Sequence, residues 1–286
     1  MSLFFVDNSC DLSSQQIKNL GIECFDLPCL LNGKDCSTLH ELEYTKFYSK
    51  LRKGMELKAK NMTEKSYMSV FEPGLKMGDD IIYVCSSEFI YDYNKLLSAR
   101  DKLLETYKDR RFEIIDSKNF SAGHGIICFL LALKYRNGAT IDELIEYYYQ
   151  IKDSVALYMV VDSFDSVPTR SIANASTLVG SALNIKSIVA INVDGKFKVI
   201  DKVSGRKRAM MKLVQIVRQI GKNIADNPIL IASSCGNDEV DYLESQLKEH
   251  FGQDLDVMKS TISPINTTTI GSGVIAIAFN VHKKIN

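Results

Sequence analysis

The chain has 286 residues, 45% hydrophobic and 24% charged, which places it among folded globular chains and excludes a disordered or low-complexity polymer. Lysine plus arginine and aspartate plus glutamate both total 35, and the resulting formal charge of zero gives no overall attraction to nucleic acid or anionic lipid. Seven cysteines (Cys10, Cys24, Cys29, Cys36, Cys85, Cys128 and Cys235) form an odd set without a Cys-x-x-Cys pair. Four of them sit beside Phe25, Leu30, Val84 and Ile127, surroundings that suit a buried free thiol. A reducing compartment is therefore expected, with no disulfide or metal framework. The opening Met1-Ser2-Leu3-Phe4-Phe5-Val6 reaches Asp7 too soon for a signal core, and no apolar run approaches the ~20 residues of a membrane span. The expectation is a cytoplasmic protein with no membrane insertion.

In chain order, Phe4-Phe5-Val6 reads as a strand ending at Asp7-Asn8-Ser9, with a helix from about Ser13 and a second strand near Ile22 to Leu27. Tyr44, Phe47, Tyr48 and Leu51 recur at helical spacing. Ile81 to Cys85 is a buried strand followed by Ser86-Ser87 and by a helix carrying Leu96, Ala99, Leu103 and Leu104. Phe112 to Asp116 is a further strand, ending at Asp116-Ser117, before helices around Ile126 to Lys134 and Ile141 to Ile151. Strands alternating with amphipathic helices predict a parallel sheet covered on both faces. Three of these strands end in small polar residues. Such pairs serve as helix N-caps or, at the carboxyl ends of an open parallel sheet, as the edge of a ligand site.

The second half differs. Ala156 to Val161 reads as a strand and about Ile172 to Leu183 as a helix. Ser187 to Asn192 and Phe197 to Asp201 flank Val193-Asp194-Gly195-Lys196, a hairpin signal. A helix over Lys207 to Ile220, a strand at Ile229 to Ala232, a helix from Asp238 and a strand at Ile275 to Phe279 complete the pattern. The predicted fold class is α/β in two domains: an N-terminal parallel-sheet domain over 1–155 and a C-terminal α+β mixed-sheet domain over 156–286.

Few residues suggest catalysis. Of the four histidines, His40, His250 and His282 read as surface residues. His124, in Ser121-Ala122-Gly123-His124-Gly125, follows a strand end and suits either a site or a helix start. No Gly-x-Ser-x-Gly elbow, phosphate loop or His-Glu-x-x-His pair occurs, so no catalytic residue, metal site or cofactor is expected. Gly271-Ser272-Gly273, after Thr267-Thr268-Thr269, reads equally as an anion-binding turn or a plain one. Arg206-Lys207-Arg208 stands at the unfavourable dipole end of its helix, which suggests docking of an acidic partner or phosphate.

Several segments resemble the DegV family, bacterial proteins that include the acyl-binding subunits of fatty acid kinase. Asp7-Asn8-Ser9-Cys10-Asp11-Leu12 resembles the family's D-S-T-x-D-L opening. Phe71-Glu72-Pro73 through Gly78-Asp79 and Ser86-Ser87 resembles the approach to S-S-x-L-S-G-T-Y. Ile115-Asp116-Ser117 with Gly123 and Gly125, Val179-Gly180 through Leu183-Asn184-Ile185-Lys186, Val193-Asp194-Gly195-Lys196 and Lys207-Arg208-Ala209 follow in the family's order across the whole chain. The resemblance implies a two-domain binding protein that holds a long-chain fatty acid with its carboxylate at the interdomain cleft, presents it to a partner kinase, and does no chemistry itself. The implied ligand-binding residues are Ser86, Ser87, Lys60, Asn61, Arg170, Thr268, Thr269 and Gly271, with Ser86-Ser87 and Thr267 to Gly273 facing one cleft.

The chain departs from the family pattern at the head group. Ala59 stands where a threonine is expected, Ile90 where a serine is, Thr269 where a histidine is, and Ser204 where an arginine is. The G-G-R-I segment becomes Thr169-Arg170-Ser171-Ile172, one residue shorter. Loss of the threonine and histidine removes two carboxylate donors, each worth ~1.5–3 kcal/mol when charge-assisted. Two alternatives therefore stand beside the fatty-acid reading. One is a binding protein for another small carboxylate or phosphate; the other is an enzyme using Ser87, His124 or Asp116 in the same cleft.

Overall fold

The computed structural model describes residues 2–37, 43–89, 93–162, 167, 171–173 and 184–286. The first half runs β1 (Ser2–Asp7), α1 (Ser14–Leu20), β2 (Glu23–Phe25), β3 (Cys29–Leu31), β4 (Lys34–Asp35), α2 (Tyr44–Arg52), β5 (Leu57–Ala59), α3 (Glu64–Met77), β6 (Asp80–Cys85), α4 (Asn94–Thr106), β7 (Phe112–Asp116), α5 (Ser121–Arg136) and α6 (Ile141–Ile151). The second runs β8 (Val155–Val161), β9 (Ile185–Ile191), β10 (Phe197–Ser204), α7 (Arg206–Ile220), β11 (Ile229–Ser233), α8 (Asn237–Phe251), β12 (Val257–Thr261), α9 (Pro264–Ile270) and β13 (Ile275–Asn280).

Strands β2-β1-β6-β7 form a parallel sheet and β10-β9-β8-β13-β11-β12 a mixed one, as the two textures of the sequence predict. The proposed boundary between 155 and 156 falls at the first residue of β8. Alternation along each strand distributes the cores. Phe4, Val6, Ile82 and Val84 face α5, whereas Phe5, Ile81 and Tyr83 face α3 and α4 on the opposite side. In the mixed sheet, Leu157, Met159, Leu230 and Ala276 face α5, while Tyr158, Val160, Ile231 and Ile277 pack on α7 and α8. Helix α5 is thus shared by both sheets, and ten of its sixteen residues are buried.

That sharing explains a misplaced boundary. Helix α5 starts at Ser121 rather than near Ile126, because Gly123 and Gly125 serve there for close approach and not as helix breakers. A Cβ on Gly125 would lie 2.3 Å from the Cys10 carbonyl oxygen and 2.8 Å from Leu230 Cδ2. One on Gly123 would lie 2.9 Å from Leu157 Cβ.

Other expectations need correction. The strand expected over Ile22 to Leu27 is only Glu23–Phe25, and the next residues turn away into an antiparallel sheet, β4-β3-β5. Thr267-Thr268-Thr269 is not a loop but the body of α9, opened by Ser263 as N-cap and Pro264 at N1. Helix α4 begins at Asn94, so Ser87 does not head it. The helix expected over Ile172 to Leu183, and His40, lie largely or wholly outside the described residues. Cys24 is exposed and Cys235 half-buried, against the expectation of buried thiols at the first; the remaining five are buried. Replacing Gly125 by alanine should lower unfolding free energy by ~1–3 kcal/mol, because the methyl meets backbone that cannot retreat. Urea denaturation measures it.

Candidate functional site

Because β1, β6 and β7 are parallel neighbours, their carboxyl ends bring Asp7-Asn8-Ser9, Ser86-Ser87 and Asp116-Ser117 to one edge of the sheet. Each segment is tied down locally. Asp7 accepts the Ser9 N–H at 2.8 Å and the Tyr83 hydroxyl at 2.5 Å, and burial pushes its carboxyl above the ordinary range. Asp116, raised likewise by burial, accepts the Lys118 N–H at 2.8 Å and pairs with Lys118 Nζ at 2.7 Å. Lys118 also reaches Glu88 at 2.5 Å.

Ser86 and Ser87 are both turned toward the amino end of α5. Ser86 Oγ and the Ser87 N–H each donate to the Asn119 carbonyl at 3.0 Å. Ser87 is wholly buried; its hydroxyl accepts the Phe89 N–H at 3.4 Å and lies against the β9–β10 turn. A Cβ on Gly195 would stand 2.4 Å from Ser87 Oγ, so the hairpin closes over this serine and only glycine fits there. Two lysines flank the neighbouring Phe89 ring, one of them already paired with Asp116 and Glu88. Lys196 Nζ sits 4.3 Å from the Phe89 ring centroid and Lys118 Nζ at 5.3 Å. Lys284 is buried, donates to the Lys118 carbonyl at 2.8 Å, and is pushed down to about 8 by desolvation.

The other expected ligand segments belong to β5 and α9, which pack on each other. Lys60 and Asn61 follow β5 and are exposed; the Lys60 N–H donates to the Pro28 carbonyl at 2.8 Å. Thr268 is half-buried, and its hydroxyl back-bonds to the Ile265 carbonyl at 2.7 Å. Thr269 is buried on the same helix. Gly271 adopts φ +74° and its N–H closes α9 onto the Thr267 carbonyl at 2.9 Å, so it is not the free anion donor a glycine turn suggests. Arg170 lies outside the described residues. Lys60, Asn61, Thr268 and Thr269 therefore come from neighbouring elements, whereas Ser86 and Ser87 are held by α5 and the hairpin.

A buried joint that the sequence reading missed connects these parts. Asp11, wholly buried, accepts the Ser263 N–H at 2.7 Å and the Ser121 hydroxyl. Asn266 Nδ2 donates to the Ser9 carbonyl at 2.8 Å, and the Tyr48 hydroxyl meets Thr267 Oγ1 at 3.0 Å. Burial pushes the Asp11 carboxyl up to about 6 despite these donors. The signal was the second acidic residue of Asp7-Asn8-Ser9-Cys10-Asp11-Leu12, beside a distant Ser-Pro helix start. His124 is also buried, is pushed down to about 3 by desolvation, and has its ring 3.5 Å from Cys128 Sγ. It is therefore a neutral core residue at the ordinary pH of a cell.

Arg206 is likewise absorbed. It forms a two-pronged pair with Glu239 at 2.9 and 2.6 Å and donates to the Gly273 carbonyl at 2.6 Å, joining α7 to α8 and to the turn before β13. That corrects its reading as a docking residue, while Arg208 remains exposed. A cavity of about 580 Å³ opens between Tyr44, Tyr48 and Arg52 of α2 and the Ser234 to Asp238 turn. None of the expected ligand residues lines it.

Two sheets sharing one helix, with hydroxyl-bearing strand ends and a polar joint between them, define a two-domain α/β protein. The chain belongs to the DegV family: the model of the family described as "Uncharacterised protein, DegV family" matches residues 4–281. A DegV domain-containing protein of Clostridium perfringens is 27% identical over 281 residues, covering 97% of this chain and 96% of the relative. Two solved structures share the fold. A stearic-acid-binding protein from Eubacterium ventriosum matches with a TM-score of 0.83 at 16% identity, over 97% of each chain. A DegV lipid-binding protein from Thermotoga maritima matches with a TM-score of 0.81 at 19% identity, over 99% of this chain and all of that one.

The Asp11 joint carries a pH signature. Its carboxyl titrates near 6 when folded and about 3.9 when unfolded, so the folded state binds more protons between those values. Its contribution to stability is full below the unfolded value and is lost as pH rises through about 6. Asp11→Asn should flatten the pH dependence of unfolding between pH 4 and 7, as urea titrations at several pH values will record.

Proposed function

We propose that this chain binds a long-chain fatty acid, with the acyl tail buried and the carboxylate at the cleft between the two domains. Family membership over nearly the whole chain carries the reading, together with the shared fold of relatives that are fatty-acid-binding proteins. The head-group contacts fall to Thr268 and Thr269 of α9, to Lys60 and Asn61 after β5, and to Arg170. Ser86 and Ser87 are tied to the Asn119 carbonyl, and the Gly271 N–H closes α9. Partner groups supplied by two elements that pack on each other suit a ligand held between them.

The protein itself supplies binding rather than catalysis in this reading, and the bound acid is handed to a fatty acid kinase subunit that brings ATP. Support for a non-catalytic role comes from His124 and its neighbour Cys128, both fully buried, where desolvation keeps the ring neutral and pushes the thiol up, away from a reactive thiolate. The reading requires neither cofactor nor nucleic acid. Among the described residues no helix is long and apolar enough to cross a membrane.

Delipidated protein titrated with a fluorescent long-chain fatty acid should show saturable binding at one site. Thr269→Val, which keeps shape but removes the hydroxyl, should weaken it by ~1–3 kcal/mol. Saturable binding of short carboxylates or phosphate with none of the fatty acid would transfer the assignment to another anionic ligand. Acyl phosphate formed by an added kinase subunit and ATP, only in the presence of this protein, tests the presentation step.

A further inference from the structure

Two of the buried thiols face each other across a hairpin. The β3–β4 register pairs Leu30 with Asp35 and Leu31 with Lys34, and one further step sets Cys29 opposite Cys36. The Cys36 N–H donates to the Cys29 carbonyl at 3.0 Å, and the two Sγ atoms lie 3.1 Å apart. Directly opposed residues of antiparallel strands have Cα atoms about 4.5–5.5 Å apart, inside the window a disulfide needs. The flanking backbone is already braced. The Cys29 N–H donates to Ser37 Oγ at 3.1 Å, Ser37 Oγ donates to Asp35 at 2.6 Å, and Asn32 and Gly33 take positive φ values (47° and 76°) as a two-residue turn. Bonding the sulfurs therefore asks for side-chain rotation without strand movement.

We propose that Cys29 and Cys36 are a reversible dithiol–disulfide pair, oxidised by a low-molecular-weight disulfide, that clamps the β3–β4 hairpin. The Cys36 thiolate attacks one sulfur of the small disulfide, whose S–S bond breaks and releases the first small thiolate. Cys29, deprotonated, then attacks Cys36 Sγ and expels the second. The protein loses two electrons and two protons, and the oxidant leaves as two thiols. Cys36 is the entering sulfur: Cys29 is 0% exposed, whereas Cys36 keeps 6% exposure and directly follows an exposed two-residue edge strand. Donation from the Cys29 thiol also holds the Cys36 thiol below its ordinary value. The clamp has a defined downstream element, because Cys29 pairs with Ala59 of β5 and Pro28 holds the Lys60 N–H.

The test needs no ligand, so its failure and that of the fatty-acid reading are separable. Full-length protein carrying Cys24→Ser, which removes the exposed thiol on the same tryptic peptide, is incubated with oxidised glutathione, denatured, and blocked with N-ethylmaleimide. The expected result is loss of two alkylatable thiols and a cross-link between peptides 19–34 and 35–46, reversed by dithiothreitol. Adding Cys29→Ser should leave glutathione on Cys36, and adding Cys36→Ser should leave Cys29 unmodified. Full alkylation of both cysteines after oxidant treatment, or a cross-link from Cys36 to any other cysteine, overturns the proposal.

Discussion

The Asp11 carboxylate, buried where the two sheets approach each other, is the contact on which the placement of the candidate site depends. It sits in a left-handed backbone conformation (φ +52°), which costs a non-glycine residue ~1–2 kcal/mol. Two donors to its side chain, the Ser263 N–H and the Ser121 hydroxyl, hold that conformation in place. One partner, the Ser263 N–H, belongs to the residue that caps α9; the other, Ser121, opens α5 and has positive φ itself. Asn266 adds a second tie from α9 to the Ser9 carbonyl. Helix α9 is thereby fixed to the loop after β1 at two points. Its threonines are aligned by the N-terminal domain although the chain reaches α9 only after β12.

Helix α5 makes that joint possible. A helix against one sheet needs one apolar stripe, but α5 is covered on both sides and is buried through most of its first three turns. Two sheets cannot close on a helix of ordinary width at its amino end, and the glycines at 123 and 125 let Cys10 and Leu157 approach its backbone directly. Asn119, two residues before that first turn, takes Ser86 and Ser87 through its carbonyl. The strand end at Ser86-Ser87 and, through Asp11, helix α9 therefore both meet the start of α5.

The sheets were legible in the sequence because their strands are apolar runs bounded by polar pairs, as at Ile81 to Cys85 and Ile229 to Ala232, and their helices keep strict periodicity. What escaped had weaker local signals for identifiable reasons. Strands β3, β4 and β5 are two or three residues long, too short for periodicity, although Asn32-Gly33 carries a hairpin signal. Three consecutive threonines disfavour helix, yet α9 forms because Ser263 and Pro264 start it and tertiary bonds hold it. At the site, residue types could be read but their direction could not. Ser87 and Gly195 are 108 positions apart in the numbering, and only their contact reveals that the hairpin covers the serine. Arg206 looked available because Glu239, which neutralises it, lies on another helix.

The departures at the head group acquire a physical meaning once their places are known. The family's histidine and threonine would supply directed donors, whereas the site proposed for this chain has threonine hydroxyls on α9 and an exposed lysine after β5. A hydroxyl that can return its proton to its own helix, as Thr268 does to Ile265, competes with the ligand for that proton. The lysine charge acts through water, where a pair at 4 Å is worth ~1 kcal/mol, and it fixes no angle. On the proposed reading, each buried methylene of the tail contributes ~0.8 kcal/mol, so about four to eight methylenes match the two lost donors. Discrimination in this member of the family then rests on how the tail fits rather than on how tightly its carboxylate is gripped. A weakly gripped carboxylate is also one that a second protein can engage without first breaking strong bonds.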